Sequence, residues 1–342
     1  MFPDTQLEAT VRDLVQPGRG ILAADESIPT ITRRLAKVGV ESTEETRRAY
    51  RSMLLTTAGI GEYLSGVILF EETLDQRTDD GPPLVEVLIR QGIVPGIKVD
   101  KGTVPLPGAP GEKITQGLDG LAERLETYRA KGARFTKWRD VYVIGTGTPS
   151  RLAIEANAEV LARYAAAAQA AGFVPIVEPE VLLDGDHDIA RCAEVTETVL
   201  HEVYHALHRH GVVLEYTLLK PNMVLPGKDH PARATPEEVA DHTLRVLRRT
   251  VPAAVPSINF LSGGQTPEEA TANLDAMNRR RDATVPWELS FSYARALQHP
   301  AMEIWAGRAD KAAEAQAAFL HRCQLTAAAR RGQYTPAMER AA

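Results

Sequence analysis

The sequence predicts an α/β protein with the (β/α)8 architecture of a TIM barrel. Eight short apolar runs recur along the chain, and a longer stretch of helical character follows each of them. Strand-then-helix units in this number favour a parallel sheet that closes on itself. The 342 residues suit two domains or one large barrel. No linker divides them, so we expect a single domain over residues 1–342, with a short C-terminal tail after about residue 325.

The apolar runs define the predicted strands. In chain order they are Gly20–Ala23, Gly66–Phe70, Val94–Val99, Ala133–Trp138, Phe173–Val177, Val212–Leu219, Ser257–Leu261 and Trp287–Phe291. An open, doubly wound sheet with a dinucleotide site is the alternative. Its nearest fingerprint, Gly145-Thr146-Gly147, lacks the third glycine at the required spacing, so we interpret that segment as a turn.

Helix signals separate these runs. Ser42 precedes Glu45 by three residues, the spacing of a capping box. Thr235–Glu238 and Thr266–Glu269 both read TPEE, which offers a hydroxyl N-cap, proline at the first helical position and acids in the first turn. The alanine-rich segment Arg163–Ala171 has high helix propensity.

The bulk composition excludes several classes of protein. The hydrophobic fraction of 44% and charged fraction of 25% are ordinary for a globular chain. A net charge of -6 argues against nucleic-acid or anionic-membrane partners, so an anionic substrate needs a local basic cluster. Two distant cysteines, Cys192 and Cys323, do not suggest a disulfide framework. With no secretion signal and no apolar stretch of roughly 20 residues, we expect a cytoplasmic protein and no membrane association.

Lysines stand where barrel chemistry takes place, at the carboxyl ends of strands. The chain has nine lysines, yet Lys98, Lys137 and Lys220 each close a predicted strand. A single lysine at a strand end is usually solvated. Three on different strands favour a shared pocket.

Acidic residues converge on the same end of the barrel. Asp25 follows the first strand, and Glu178 and Glu180 end the fifth. In such a mixed-charge pocket, pKa values can be driven apart. A lysine amine has an ordinary pKa near 10.4, and burial beside a cation lowers it. We therefore expect Lys220, with Lys137 as its neighbour, to attack a ketone and form an imine, with the acids transferring protons.

Two loops carry phosphate-site signals. Phe260–Gln265 (FLSGGQ) follows the seventh strand, and its glycines let backbone amides approach an anion. Phe291–Arg295 follows the eighth strand, and barrels frequently bind phosphate at these two loops. Arg33 and Arg34, which follow the first-strand loop with Ser27 and Thr30, form a second anion site or a solvated charge run.

These motifs together resemble the class I fructose-1,6-bisphosphate aldolases over nearly the whole chain. The matching stretches are GRGILAADES, GVILFEETL, GIKVDKGTVPL, TQGLDGLAERL, IVEPEVLLDGDHD, TLLKPNMV, FLSGGQTPEEA and FSYARALQ. The resemblance implies a (β/α)8 barrel, usually a homotetramer. It also implies reversible cleavage of fructose 1,6-bisphosphate in glycolysis and gluconeogenesis, without metal or another cofactor. The phosphorylated ketose and triose partners would be that sugar, dihydroxyacetone phosphate and glyceraldehyde 3-phosphate.

The resemblance also assigns roles to individual residues. Lys220 in LLKPN takes the imine role, and Glu178 in VEPE is the acid and base of carbinolamine formation and dehydration. Asp25 in AADES draws the hydroxyl proton during cleavage. Lys137 in TKWR supplies positive charge beside the imine, and Glu180 is a supporting carboxylate. The phosphate contacts implied by the resemblance are Ser262, Gly263, Gly264, Ser292, Arg295 and Arg34 at one end of the sugar, with Lys98, Ser27 and Thr30 at the other.

The chain departs from the family pattern at four places. Tyr216, close to the imine lysine in sequence, and Ala294, in the last phosphate loop, both replace a usual glycine. Ser27–Thr30 (SIPT) is stiffer than the usual small-residue loop. The sequence also stops at Ala342, without the longer tail ending in tyrosine that many animal members use to protonate the enamine.

Two rival functions remain open at this stage. His201–His205 (HEVYH) matches the HExxH pattern of zinc hydrolases, although it falls on a predicted outer helix, where a solvated histidine face is the plainer interpretation. A non-catalytic scaffold with an inherited barrel is the other rival, but it has no physical need for buried charges. Within the enzyme hypothesis, another ketose such as sedoheptulose 1,7-bisphosphate is an alternative substrate.

Overall fold

A computed structural model describes residues 4–340 of the chain. Eight parallel strands form a closed barrel in the order β1-β10-β9-β8-β7-β6-β3-β2. The barrel strands are β1 (Gly20–Ala24), β2 (Leu64–Leu69), β3 (Val94–Lys98), β6 (Phe135–Tyr142), β7 (Val174–Val181), β8 (Leu218–Leu219), β9 (Ser257–Phe260) and β10 (Glu288–Tyr293). Two further strands, β4 (Thr103–Pro105) and β5 (Lys113–Thr115), form a separate antiparallel hairpin.

The α-helices lie mainly outside the barrel. They are α1 (Asp4–Leu14), α2 (Ile28–Lys37), α3 (Glu44–Leu55), α4 (Leu84–Arg90), α5 (Leu121–Ala130), α6 (Arg151–Ala170), α7 (Ile189–Arg209), α8 (Pro236–Thr250), α9 (Pro267–Arg279), α10 (Arg295–Trp305) and α11 (Ala312–Arg330). Of the helices within residues 4–340, none has the length and apolar character needed to cross a membrane.

All eight predicted apolar runs overlap a barrel strand, so the predicted fold class is confirmed. The sixth run is the least accurate prediction, because only Leu218–Leu219 of Val212–Leu219 pairs in the sheet. The preceding residues Leu214–Tyr216 form a 3-10 helix, in which the amides of Tyr216 and Thr217 bond to carbonyls three residues earlier. The charged Glu215 in this segment interrupts the apolar pattern of a strand.

The helix signals are confirmed at three places and wrong at one. The alanine-rich segment Arg163–Ala171 forms the second half of α6, with Ala171 as its C-cap. Thr235 and Thr266 both cap their helices through capping boxes with Glu238 and Glu269. The capping box predicted at Ser42 is wrong by one residue, because Thr43 is the N-cap of α3. Its hydroxyl accepts the Thr46 amide at 3.1 Å, and the Thr46 hydroxyl accepts the Thr43 amide at 2.9 Å. A hydroxyl at this position can return the bond usually made by glutamate.

Apolar side chains, mostly aliphatic, fill the lower part of the barrel interior, towards the amino ends of the strands. The Phe135 ring occupies the space over Gly96, where an added Cβ would lie 2.3 Å from a ring carbon. Leu7 and Leu14 of α1 belong to the same buried cluster, so this helix covers the lower opening. The barrel interior is thus packed with side chains at the amino ends of the strands, and a site for substrate lies at their carboxyl ends.

The β4–β5 hairpin was not predicted from the sequence. It lies between the third and fourth barrel strands in chain order, and its strands have only three residues each. Asn157 of α6 holds it in place by donating to the Lys113 carbonyl at 2.9 Å and accepting the Thr115 amide at 3.3 Å. Strands this short carry almost no periodic signal.

Candidate active site

Strand alternation raises the candidate side chains out of the apolar interior. On β6, Phe135 faces the barrel axis, so Lys137 and Arg139 face it one and two layers higher. On β7, Ile176 faces the same interior, which places Glu178 above it. The same rule places Lys220 above Leu218 and Asp25 above Ala23. Residues from four strands therefore meet at the upper end of one barrel.

Four of these side chains form a single charged cluster. The Lys137 Nζ lies 2.7 Å from Asp25 Oδ2 and 2.9 Å from Glu178 Oε2. The Lys220 Nζ lies 3.0 Å from Glu178 Oε1. All four residues are buried, with between 3% and 8% of their surface exposed. Glu178 is thus shared between the two lysines, whereas the only ion pair of Asp25 within residues 4–340 is with Lys137.

The cluster sets the protonation state of three of its members. Burial raises the pKa of the Asp25 carboxyl, but Lys137 and Lys220 together outweigh it and bring the pKa to about 2. Burial likewise raises the pKa of Glu178, and the same two ammonium groups hold it below its usual value. For Lys137, burial lowers the pKa of the amine, but Asp25 and Glu178 raise it well above its usual range. Asp25 and Glu178 are therefore carboxylates near neutral pH, and Lys137 is a fixed cation.

A second charged group borders the first. Arg139 Nε lies 2.5 Å from Glu180 Oε2, and its amide donates to Asp100 Oδ2 at 3.3 Å. The Lys98 ammonium lies 2.6 Å from Asp100 Oδ1 and donates to the Asp100 carbonyl at 2.8 Å. Arg139 and Asp100 were not predicted from the sequence, although both stand close to candidate residues in the chain. The signal for Arg139 was its position two residues after Lys137, on the same face of the strand.

The loop after β9 forms a tight backbone turn against the cluster. A Cβ on Gly263 would lie 2.9 Å from Glu180 Oε1, so a larger residue would have to displace that carboxylate. Gly264 has a φ of 76°, and a Cβ there would lie 2.6 Å from Leu183 Cδ1. Beside this turn, Arg295 donates to the Gln265 carbonyl at 3.1 Å. The exposed amides and adjacent guanidinium are typical of an anion site.

The loop after β1 leads directly into α2. Ser27 is the N-cap of this helix, and its hydroxyl donates to the Thr30 hydroxyl at 3.2 Å. Pro29 lies in the first turn, where its missing amide hydrogen costs no helical hydrogen bond. Arg34, one turn beyond Thr30, pairs with Glu26 at 2.5 Å.

One cavity of about 1400 Å³ is lined by all the catalytic and phosphate-binding residues that were predicted from the sequence. Its lining includes the five charged candidates Lys220, Glu178, Asp25, Lys137 and Glu180. It also includes the anion-site candidates Arg34, Ser262, Gly263, Gly264, Ser292, Arg295, Lys98, Ser27 and Thr30. Ser292 is buried, and its hydroxyl has no hydrogen-bond partner among residues 4–340.

Two of the unusual residues have structural explanations. Tyr216 lies close to Lys220 in sequence, but it packs against the cluster at the lower end of the barrel. Four residues of nearly extended chain separate the two by roughly 13 Å. Ala294 is the N-cap of α10 with a φ of -100°, so it does not adopt the left-handed conformation that would require glycine.

The HExxH segment lies on α7, the helix between the fifth and sixth barrel strands. His201 and His205 are both exposed, and neither lines the cavity. Within residues 4–340, no group of three or more His, Cys, Asp or Glu side chains is arranged to hold a metal ion.

Comparisons with known proteins agree on one family. Residues 6–342 match the family described as "Fructose-bisphosphate aldolase class-I". The cytosolic fructose-bisphosphate aldolase 5 of Arabidopsis thaliana is 56% identical over 96% of this chain and 92% of its own length. Fructose-bisphosphate aldolase C of Pan troglodytes is 54% identical over 94% of this chain and 88% of its own. The solved aldolase of Plasmodium falciparum, in complex with TRAP and a small-molecule inhibitor, is 49% identical, covers 97% of this chain and 95% of its own, and superposes with a TM-score of 0.95.

Proposed function

The chain belongs to the class I fructose-bisphosphate aldolase family, and we propose that the cavity at the top of its barrel carries that activity, with Lys220 as the nucleophile. The protein is a metal-independent lyase that reversibly cleaves fructose 1,6-bisphosphate to dihydroxyacetone phosphate and glyceraldehyde 3-phosphate. Several relatives are cytosolic or cytoplasmic enzymes, and this chain acts in the same compartment. The observation that carries the proposal is the Lys220–Glu178–Lys137–Asp25 cluster.

Imine formation begins with Lys220 and Glu178. The 3.0 Å contact lets the Glu178 carboxylate take a proton from the Lys220 ammonium. The free amine attacks the C2 carbonyl of the open-chain sugar and forms a carbinolamine. Glu178 then returns its proton to the C2 hydroxyl, which leaves as water, and an iminium remains on Lys220.

Carbon–carbon cleavage uses Asp25. Its carboxylate accepts the proton of the C4 hydroxyl, and the C3–C4 bond breaks as the C4 carbonyl of glyceraldehyde 3-phosphate forms. The electron pair of that bond passes to the iminium nitrogen and produces an enamine. Since its pKa is about 2, Asp25 is ionised at neutral pH and ready to accept this proton. Lys137, a fixed cation beside both carboxylates, keeps them charged between steps.

Phosphate recognition is divided between two sides of the cavity. Gly263, Gly264, Ser262, Ser292, Arg295 and Arg34 hold one phosphate. Lys98, Ser27 and Thr30 hold the phosphate at the far end of the sugar, and Glu180 supports the charge of Arg139 between them. A preformed anion site lets remote phosphate contacts orient the reacting carbonyl over Lys220.

Family membership also suggests the assembly. We propose that the chain acts as one domain over residues 1–342, with a short tail after about residue 325, and assembles as a homotetramer. A molar mass four times the chain mass of 37.3 kDa is expected from light scattering in solution. A monomer at working concentration would contradict this assembly and leave the chemistry untouched.

Borohydride trapping tests the imine directly. Incubation with dihydroxyacetone phosphate and borohydride, followed by peptide mass spectrometry, should place a reduced adduct on Lys220. Lys220→Ala should remain folded and show no adduct. Lys228→Ala is the matched control, because Lys228 is an exposed lysine paired with Asp184 outside the cavity. It should retain both adduct and activity, and activity of the natural chain should survive EDTA.

The opposite outcome has a definite meaning. Folded protein that is saturated with ligand and gives no adduct on any lysine would contradict the imine mechanism. An adduct on Lys137 or Lys98 alone would leave the reaction class intact but overturn the assignment of the nucleophile.

A further inference from the structure

One buried carboxylate in the cavity wall has no role in the steps above. Glu26 stands next to Asp25, but it faces Arg34 and not the charged cluster around Lys220. We propose that Glu26 is a positioning residue, which holds the Arg34 guanidinium in the orientation that a ligand phosphate needs. This inference rests on the proposed function, because it assumes that Arg34 contacts a phosphate of the substrate.

The carboxylate of Glu26 is itself held rigidly. Its Oε1 accepts from Arg34 Nη1 at 2.5 Å and from Gln298 Nε2 at 2.9 Å. Gln298 Nε2 also donates to the Ala23 carbonyl at 2.7 Å, and its Oε1 accepts the Tyr50 hydroxyl at 3.0 Å. The Glu26 side chain is 4% exposed, and Gln298 is fully buried. Each of these hydrogen bonds involves a buried residue. The position of Glu26 Oε1 is therefore determined by packing in the core.

Arg34 has the opposite character, because its side chain is 26% exposed and lines the cavity. Glu26 is its only ion-pair or hydrogen-bond partner through the side chain among residues 4–340. A free arginine side chain loses much rotamer freedom when it binds a ligand. With Glu26 in place, that freedom is already lost in the folded protein, and the other guanidinium N–H groups have no partner among residues 4–340 and can bind a ligand in the cavity.

The bridge also ties together two phosphate-binding elements. Glu26 belongs to the loop that joins β1 to α2, the helix that carries Arg34, whereas Gln298 lies one turn after Arg295 on α10. The Glu26–Gln298 bond therefore fixes the separation between Arg34 and Arg295. A change at Glu26 should weaken phosphate binding while the imine chemistry at Lys220 proceeds.

A double-mutant cycle tests the inference. Glu26→Gln preserves the shape of the side chain and removes its charge, and Arg34→Ala removes the group that it holds. The readouts are KM for fructose 1,6-bisphosphate and the calorimetric Kd for hexitol 1,6-bisphosphate, which has no carbonyl and cannot form an imine. Glu26→Gln should raise both by roughly 3-fold to 30-fold, the range expected on weakening one charge-assisted contact. The double variant should bind no more weakly than Arg34→Ala alone, and Glu26→Asp, which keeps the charge, should recover part of the loss.

Glu72→Gln is the matched control. Glu72 pairs with two arginines, Arg47 at 2.8 Å and Arg51 at 2.5 Å, close to the same loop but without touching Arg34. It should lower the melting temperature and leave the Kd for hexitol 1,6-bisphosphate unchanged. A merely structural role for Glu26 would make the two variants behave alike.

Several results would overturn the inference. They are an unchanged or lower Kd in Glu26→Gln, additive effects in the double variant, and an equal loss in Glu72→Gln. The calorimetric readout also separates this inference from the proposed function. If the variants show the expected coupling in their Kd for the hexitol bisphosphate while the natural chain cleaves no sugar, the positioning role stands and the proposed reaction fails.

Discussion

Replacing Lys137 with methionine removes the central cation of the charged cluster and keeps a side chain of similar length. Asp25 then loses its ion pair with Lys137, while Glu178 retains Lys220 at 3.0 Å. Burial would then be opposed only by Lys220 and Lys98, and we expect it to raise the pKa of the Asp25 carboxyl above its ordinary value. We therefore expect kcat at neutral pH to fall by at least about 100-fold, because Asp25 is the proposed base of the cleavage step.

The size of the effect on stability follows from the pKa of Asp25. In the natural chain this pKa is about 2, against an ordinary 3.8, a difference that corresponds to roughly 2.5 kcal/mol. Because the folded-state pKa is lowered, this stabilisation is present above pH 3.8 and lost as the pH falls through about 2. In Lys137→Met the folded-state pKa is raised instead, so stability should decline as the pH rises through it. Removing one partner from a buried pair typically costs about 3–5 kcal/mol.

Two measurements check this expectation. Urea unfolding between about pH 4 and pH 8 should show the deficit of the variant growing with pH, and the acid limb of kcat should move upward into the measurable range. Lys131→Met is the control, because Lys131 pairs with Asp75 at the same 2.7 Å but at an exposed site. It should change the unfolding free energy by less than about 1 kcal/mol. A pH-independent deficit in Lys137→Met, or an unmoved acid limb, would refute the reasoning.

Two further predictions concern groups near the cavity. Burial, only partly offset by hydrogen bonds, raises the pKa of Asp140 to about 8, so its contribution to stability is lost as the pH rises from 3.8 to about 8. Asp140→Asn cannot ionise at this position. In urea titrations, its free energy of unfolding should therefore increase relative to that of the natural chain across this pH window. Parallel curves of unfolding free energy against pH would contradict this. Gly264→Ala should raise KM for fructose 1,6-bisphosphate and destabilise the fold, because the added Cβ would lie 2.6 Å from Leu183. Gly147 has the same φ of 76°, but a Cβ added there would have no neighbour within 4 Å, so Gly147→Ala controls for backbone strain alone. If the two variants change the unfolding free energy and KM equally, the contact with Leu183 is irrelevant.

Two charged residues close to the predicted site, Arg139 and Asp100, became evident only from the tertiary structure. Lys137 could be predicted from its place at a strand end, but Arg139, which follows it on the same inward face, lay beyond the predicted end of the strand at Trp138. Lys98 was predicted without the Asp100 carboxylate that holds it. Asp100 follows the end of β3, where strand alternation no longer indicates the direction of a side chain.

Local patterns predicted the strands well where burial on both faces produced continuous apolar runs, and poorly where packing overrode them. Val212–Leu219 reads as one apolar run, yet its first half turns into a 3-10 helix and places Tyr216 at the lower end of the barrel. The β4–β5 hairpin leaves no periodic trace, since each strand has three residues. Both depend on contacts with distant helices, α1 and α6, which no short window of sequence contains.

The sequence by itself determined the fold class, the strands that build the barrel and the chemical types at their carboxyl ends. Parallel strands in a closed barrel direct all those ends to one rim, so Lys220, Glu178 and Asp25 could be placed together before any coordinates were known. Only the tertiary structure decided the pairing: Glu178 shared by two lysines, Asp25 held by Lys137, and Arg34 held by Glu26. The physical reason is that a local pattern records which face of a strand is buried, whereas ion pairs and pKa values depend on distances of a few ångströms between residues far apart in the chain.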